Sequence, residues 1–223
     1  MRCGRTSRTW CRPLWRGRAD PRMSAGPTSE RVQQSLRRLI MERGYRPGSR
    51  LDPVELSAIL ASSTTPIREA LSHLAGEGLV EARSGGGFLV PLIDEPGLKD
   101  LYAWSGDIIQ LALRGARLSL LRSIEPDPDS RSSADQAAHL LHRIASASSN
   151  REHGEAMDRT NARLHVARIG EEDILGGTGK ELQALAHSAR AGDIGLLRRT
   201  SSAYHLRRQR AAAKLLRGIY RDE

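Results

Sequence analysis

Two groups of side chains in this 223-residue chain have the types and spacing for chemistry. The first is Ser63-Thr64-Thr65-Pro66-Ile67-Arg68, three consecutive hydroxyls followed by a guanidinium. Hydroxyls and an arginine on one helical turn can hold phosphate oxygens, and arginine can also make a bidentate contact with the edge of guanine. The second is a scatter of histidines, six of the seven lying beyond residue 93. His139 and His142 stand i,i+3 on one helical face, a spacing for paired metal ligands, but no carboxylate motif completes it. His165 lies between Arg163 and Arg168, which suits either a polar core position or contact with a carboxylate-bearing small molecule. No nucleophile elbow, phosphate-cradling loop or nucleotide fingerprint is present. A metal-dependent hydrolase built on His139, His142 and His165 would need an open coordination site and an acid–base carboxylate, so the chain is expected not to be an enzyme.

The elements that must position the first group follow from periodicity. Val32, Leu36, Leu39 and Ile40 repeat at helical spacing, and Gly44 and Arg46-Pro47-Gly48 end that helix. A short helix is expected at about 53–60, started by Asp52 or Pro53, with Leu56, Ile59 and Leu60 inward. Ser62-Ser63-Thr64-Thr65 supplies N-cap hydroxyls for a further helix at about 66–77 that buries Ile67, Ala70, Leu71 and Leu74. Leu79 to Arg83 and Phe88 to Val90 then read as two strands around the Ser84-Gly85-Gly86-Gly87 turn. Three helices followed by a hairpin are the plan of a winged helix-turn-helix, whose last helix would enter the major groove. The same order also suits a small helical subdomain with no role on DNA. Arg50, Arg83 and Gly86 at the wing tip are candidate backbone-contact positions.

The residue string from Leu39 to Val90 resembles the DNA-binding domain of GntR-family bacterial transcription regulators. The resemblance is carried by Pro47-Gly48-Ser49-Arg50-Leu51, Glu55-Leu56-Ser57, Ser63-Thr64-Thr65-Pro66-Ile67-Arg68-Glu69-Ala70-Leu71, Leu74-Ala75-Gly76-Glu77-Gly78-Leu79-Val80 and Gly86-Gly87-Phe88-Leu89-Val90. It implies DNA contacts from Ser63, Thr64, Thr65 and Arg68. Val54 and Thr64 stand where the family commonly has arginine, which puts the family's usual operator contacts in doubt. Arg68 could instead pair with Glu69 or Glu77 as an ordinary surface charge.

Residues 93–96 read as a linker, and 97–223 as an antiparallel helical bundle with helices at about 97–121, 134–148, 151–169, 177–191 and 193–219. The resemblance implies that such a partner is a ligand-sensing domain. One large subfamily has an Asp-x-x-x-His motif and two further histidines that bind a metal beneath the effector pocket. Here Asn161-Ala162-Arg163-Leu164-His165 matches the first part with Asn in place of Asp. The second histidine's place falls near Leu182, and the last near His205. A divalent metal is therefore disfavoured and no cofactor is expected, while Arg163, His165 and His205 are the candidate effector contacts. The arginines of the last helix, including Arg207 and Arg208, read as a solvated face or as a supplementary phosphate-contacting surface.

The formal charge of +9 invites a nucleic-acid partner, but its distribution weakens that inference. Residues 1–27 hold seven arginines against Asp20, or +6. Residues 28–92 hold eight arginines against seven acidic side chains, only +1. So little surplus charge binds DNA weakly as one copy, which calls for a homodimer on a palindromic site. The leader 1–27 reads as non-structural, with Met23 a possible later start; a DNA-contacting arm and a transit-like extension are the other readings. It lacks the apolar stretch of a secretory signal. No run approaches 18 apolar residues, so no membrane partner is expected.

The fold class expected is mainly α, a winged helix-turn-helix followed by an all-α bundle. The function expected is a cytoplasmic dimeric repressor of double-stranded DNA operators, controlled by a small-molecule effector such as a carboxylate. The alternative is a DNA-binding dimer whose shortened second domain only dimerises; a protein-only adaptor is a further reading.

Overall fold

A computed structural model of the chain describes residues 28–41, 45–127, 130 and 132–220. The basic leader 1–27 lies outside the described residues. Helix α1 (Thr28–Met41) turns Val32, Leu36 and Ile40 into one buried stripe at i, i+4 and i+8. Helix α2 (Pro53–Ile59) starts where Asp52 accepts a hydrogen bond from the Val54 N–H at 2.8 Å, with Pro53 in its first turn. Helix α3 (Thr64–Gly76) buries Ile67, Ala70, Leu71 and Leu74 against α1 and α2. It begins two residues earlier than its proline suggests, and the Ser63 hydroxyl makes no capping bond.

The hairpin gains a strand. Strands β1 (Arg50–Leu51), β2 (Glu81–Ala82) and β3 (Phe88–Leu89) form an antiparallel sheet in the order β1-β3-β2. Two residues are too few to show a periodicity, so β1 is invisible in the sequence pattern. The Pro47-Gly48 turn brings it in: Gly48 has φ +84° and donates its N–H to the Val90 carbonyl at 2.7 Å. Leu51 is then fully buried between the sheet and the helices.

The second domain packs seven helices among the described residues: α4 (Glu95–Ala112), α5 (Leu118–Arg122), α6 (Ser133–Ser146), α7 (Glu152–Ile169), α8 (Glu171–Leu175), α9 (Thr178–Ala191) and α10 (Ile194–Tyr220). α10 lies along α4, and α7 lies between α4 and α6. The single helix expected over 97–121 is instead α4, a 3-10 turn at Leu113–Gly115 and α5. The break has a local cause. Ala116 forms a bridge with Ser148, the Arg117 N–H donates to the Ala147 carbonyl at 2.8 Å, and the Ser149 N–H donates to Gly115 at 3.0 Å. Those pairings divert backbone groups that a continuous helix would use. The first helix also begins earlier than expected, because the Asp94 carboxylate caps Gly97 N–H at 2.8 Å.

The domains share a seam. Ala162 of α7 belongs to the core of the winged domain, and Arg163 packs its methylenes on the Gly78 turn. Tyr220 closes the other side by donating its hydroxyl to the Ile93 carbonyl and accepting from the Ile93 N–H, both at 3.0 Å. Leu71 sits with no exposed surface at the centre of the smaller core. Leu71→Ala is expected to lower unfolding stability by about 2–5 kcal/mol in chemical denaturation. A loss below about 1 kcal/mol would mean that α3 is not anchored as described.

Candidate functional site

The exposed side of α3 is set by the side that must be buried. With Ile67, Ala70, Leu71 and Leu74 inward, Thr64, Thr65, Arg68, Glu69 and Ser72 face out, preceded by exposed Ser63. The Arg68 guanidinium has no hydrogen bond or ion pair among the described residues. Of its two alternative partners, Glu69 makes no ion pair with it among the described residues, and Glu77 is engaged elsewhere: Arg37 donates to it at 2.5 Å and Gln33 at 3.3 Å. Arg68 therefore projects as an unpaired cation beside a row of hydroxyls.

The wing supplies further cationic groups. Arg50 is exposed on edge strand β1, opposite Leu89. Arg83 is exposed where the wing turns, with its N–H donating to the Gly87 carbonyl at 3.1 Å and its carbonyl accepting from Gly86 at 2.9 Å. Gly86 and Gly87 adopt φ +81° and +109°, a backbone path that favours glycine. Val54 was missed as a site residue. It is 65% exposed at the start of α2, where an apolar side chain gains nothing from water and could meet a thymine methyl.

The candidate effector contacts do not come together as one group. Arg163 is exposed at the seam with Gly78, whereas His165 and His205 are buried. Two residues along a helix is about 200° of rotation, so 163 and 165 cannot share a face. Asn161, His165 and Arg168, at i, i+4 and i+7, do share one and are all buried. Arg168 is 1% exposed, and its Nη1 donates to Asn161 Oδ1 at 2.7 Å. Arg208, read from the sequence as part of a solvated face, is also buried. It donates from Nε to Glu171 Oε2 at 2.8 Å and from Nη1 to Glu181 Oε2 at 3.0 Å, and lies over the Tyr204 ring at 3.3 Å. Tyr102 donates to the other Glu171 oxygen at 2.6 Å.

These surroundings fix the protonation states. Burial pushes the Tyr204 hydroxyl up to about 12, aided by Glu171, and raises Tyr102 as well. Burial drives the His205 imidazole down to about 3, with Arg168 and Arg208 adding to the shift. Burial opposes the Arg208 charge, but Tyr204, Glu171 and Glu181 outweigh it. Since Ser201 O can only accept, His205 Nδ1 carries the proton to it at 2.8 Å, and Nε2 accepts from Ser105 at 3.0 Å.

This donor set does not suit a metal cation. Both His205 nitrogens are engaged, both ends of the Asn161 amide are used, Leu182 is apolar core, and a guanidinium stands among them. His139 and His142 turn to different partners: His139 to the Glu125 carbonyl, and His142 to Asp158 at 2.7 Å. No cluster of three or more metal-ligating side chains occurs among the described residues.

Residues 28–90 match the family model for bacterial regulatory proteins of the gntR family. The chain is 32% identical over 137 residues to the Nta operon transcriptional regulator of Aminobacter aminovorans, covering 56% of this chain and 65% of that one. It is 41% identical over 68 residues to the Uxu operon transcriptional regulator of Escherichia coli, covering 30% and 26%. The chain thus spans less than two thirds of the length of these curated relatives. In fold it is similar to a GntR protein from Rhodococcus sp. RHA1, with a TM-score of 0.66 at 19% identity over 86% of this chain and 99% of that one. It is also similar to E. coli McbR/YncC, with a TM-score of 0.59 at 17% identity over the same shares. No helix among the described residues is long and apolar enough to cross a membrane.

The buried histidine has a pH signature. His205 is neutral when folded down to about pH 3 and protonates near its ordinary 6.5 when unfolded, so the unfolded state binds more protons between those values. Stability should fall as pH drops from about 6.5 towards 3, by up to about 1.4 kcal/mol per pH unit. His142, raised by its hydrogen bond to half-exposed Asp158, works the other way: its contribution is present below about 6.5 and is lost as pH rises through its folded value, and solvent screens it. The pH slope of urea midpoints should flatten in His205→Gln; an unchanged slope would show that His205 is not buried neutral.

Proposed function

We propose, from the match of residues 28–90 to the gntR family model, that the chain is a dimeric, sequence-specific repressor that binds double-stranded DNA in the cytoplasm. The observation that carries this reading is the unpaired Arg68 on the free face of α3. That helix lies in the major groove with Arg68 on a guanine edge, and Ser63, Thr64 and Thr65 reach phosphate or base edges at its start. Arg50, Arg83 and the Gly86 tip follow the flanking backbone. Val54 adds apolar contact where a cationic side chain would have held phosphate.

One copy is too weakly charged to hold an operator, so two are needed. Trp104, 47% exposed, and Leu111 stand seven residues apart on α4 and form the apolar stripe assigned here to the second copy. The two-fold arrangement sets a palindromic operator. The helical domain receives a small-molecule effector whose binding alters the placement of the two α3 helices, with Ala162 and Arg163 of α7 carrying the change to the winged domain. If no ligand enters that domain, dimerisation alone is its role.

Selection of bound duplexes from a random pool, at stated salt, tests the reading. Wild type should enrich a palindrome, Arg68→Ala should lose preference at one base pair per half-site at a cost of about 1–3 kcal/mol, and Trp104→Glu should weaken both dimer and operator binding. Recovery of no palindrome by wild type would end the regulator reading. An unchanged motif with Arg68→Ala would remove Arg68 from base readout.

A further inference from the structure

Residues 91–94 join the two domains, and both ends of that linker are fixed. On the winged side, the Val90 N–H donates to the Ser49 carbonyl at 2.9 Å, and the Val90 carbonyl accepts from Gly48 at 2.7 Å. On the helical side, the Asp94 carboxylate caps α4 through the Gly97 N–H. Between these anchors the backbones of Pro91 and Leu92 make no hydrogen bond among the described residues. Leu92 is 70% exposed, more than any other large apolar side chain described. Ile93 is the one point where the middle of the linker is tied down.

The polar groups of Ile93 go to Tyr220, 127 residues away. The Ile93 N–H donates to the Tyr220 hydroxyl, and the Ile93 carbonyl accepts from the same hydroxyl, both at 3.0 Å. A phenol has one hydrogen to give and lone pairs to receive with, so Tyr220 offers the donor and acceptor that a neighbouring strand would otherwise supply. The Ile93 side chain packs against the core shared by α4, α7 and α10. Helix α10 is itself held in place. Arg208 ties its middle to Glu171 and Glu181, and Gly218 lets its end lie against Ile174 of α8, where a Cβ would stand 2.9 Å away. The helix between Arg208 and Tyr220 is about 18 Å long and rigid, so the Tyr220 hydroxyl stands at a set position.

We propose that Tyr220 is a latch: its hydroxyl holds the linker at Ile93 in one conformation and thereby sets the placement of the winged domain on the helical bundle. The apolar contact at Ala162 has no direction of its own, whereas the Tyr220 bonds fix the path of the chain into α4. Both bonds lie at the surface of a short segment, so their loss opens the linker and leaves the two cores intact. The effect of the latch on operator binding rests on the reading of the winged domain as the DNA-binding one. A dimer must present two α3 helices at a fixed separation, and a loose linker has to be ordered again on binding, which weakens affinity.

The test is Tyr220→Phe in the full chain, which keeps the ring and removes the hydroxyl. Chymotrypsin under native conditions reads the linker, because exposed Leu92 presents the Leu92–Ile93 bond and cutting it requires the Ile93 backbone to leave Tyr220. Cleavage of that bond, located by mass spectrometry, should rise about 5- to 10-fold in Tyr220→Phe, and exchange of the Ile93 amide should rise by a similar factor. Amides of α1 and α3 should exchange as in wild type, and the melting temperature should fall by no more than about 4 °C. Affinity for a duplex selected with wild type should weaken about 3- to 10-fold. The latch is overturned if cleavage at Leu92–Ile93 and exchange at Ile93 are unchanged, or if Tyr220→Phe opens α1 and α3 as readily as the linker. Its effect on operator binding is overturned if the linker opens and affinity stays the same. If wild type selects no operator, the regulator reading fails, and cleavage and exchange still decide the latch.

Discussion

Helix α7 has to satisfy three environments within eight residues, and the rest of the structure depends on how it does so. Ala162 closes the hydrophobic core of the winged domain, Leu164 and Ala167 enter the core formed with α4 and α10, and Asn161, His165 and Arg168 form a buried polar face. A helix apolar on one side only could serve one of these neighbours. Because α7 serves all three, its position fixes the winged domain, the long α10 and the polar centre relative to one another. Gly154 allows part of this approach: a Cβ there would stand 2.6 Å from Ser146 Oγ on α6.

The polar centre follows a consistent electrostatic logic. Arg208 is held by two carboxylates, its own Tyr204 carbonyl and the face of the Tyr204 ring, so its desolvation is offset from several directions. Gly106 lets α4 come close enough for Ser105 to reach His205, since a Cβ there would lie 3.3 Å from the imidazole ring. Within this centre the Nε and Nη2 of Arg168 and the Tyr204 hydroxyl have no partner among the described residues.

Much of the winged domain was legible from the residues because its local and global signals agree. Asp52-Pro53 and the triple glycine each mark a boundary, Thr65-Pro66 falls in the first turn of α3, and the apolar stripes of α1 and α3 point the same way. Strand β1 was not legible, being too short to alternate. In the bundle, the break after Ala112 depends on a bridge to residues 147–149, a pairing no local pattern announces. Arg208 was misread for a related reason: its burial comes from Glu171 and Glu181, far away in sequence. Arg163 and His165 were grouped by adjacency, where helical angle separates them and links His165 with Arg168 instead. Counting at i, i+4 and i+7 from Asn161 would have found that face.

The same helix supplies a physical route between the two ends of the molecule. Arg168 holds Asn161 on the buried polar face of the helix, while Ala162 and Arg163 on the neighbouring faces touch the winged domain. Side chains on a rigid helix cannot adjust independently over two turns, so a displacement of the buried polar face also shifts the seam at Gly78. A cleft of about 470 Å³ lined by Arg37, Glu77, Glu155 and Asp158 lies between α1, the end of α3 and α7, so polar groups and open space flank the apolar contact at Ala162. The apolar contact at Ala162 ties the winged domain directly to the helix that carries the buried polar face.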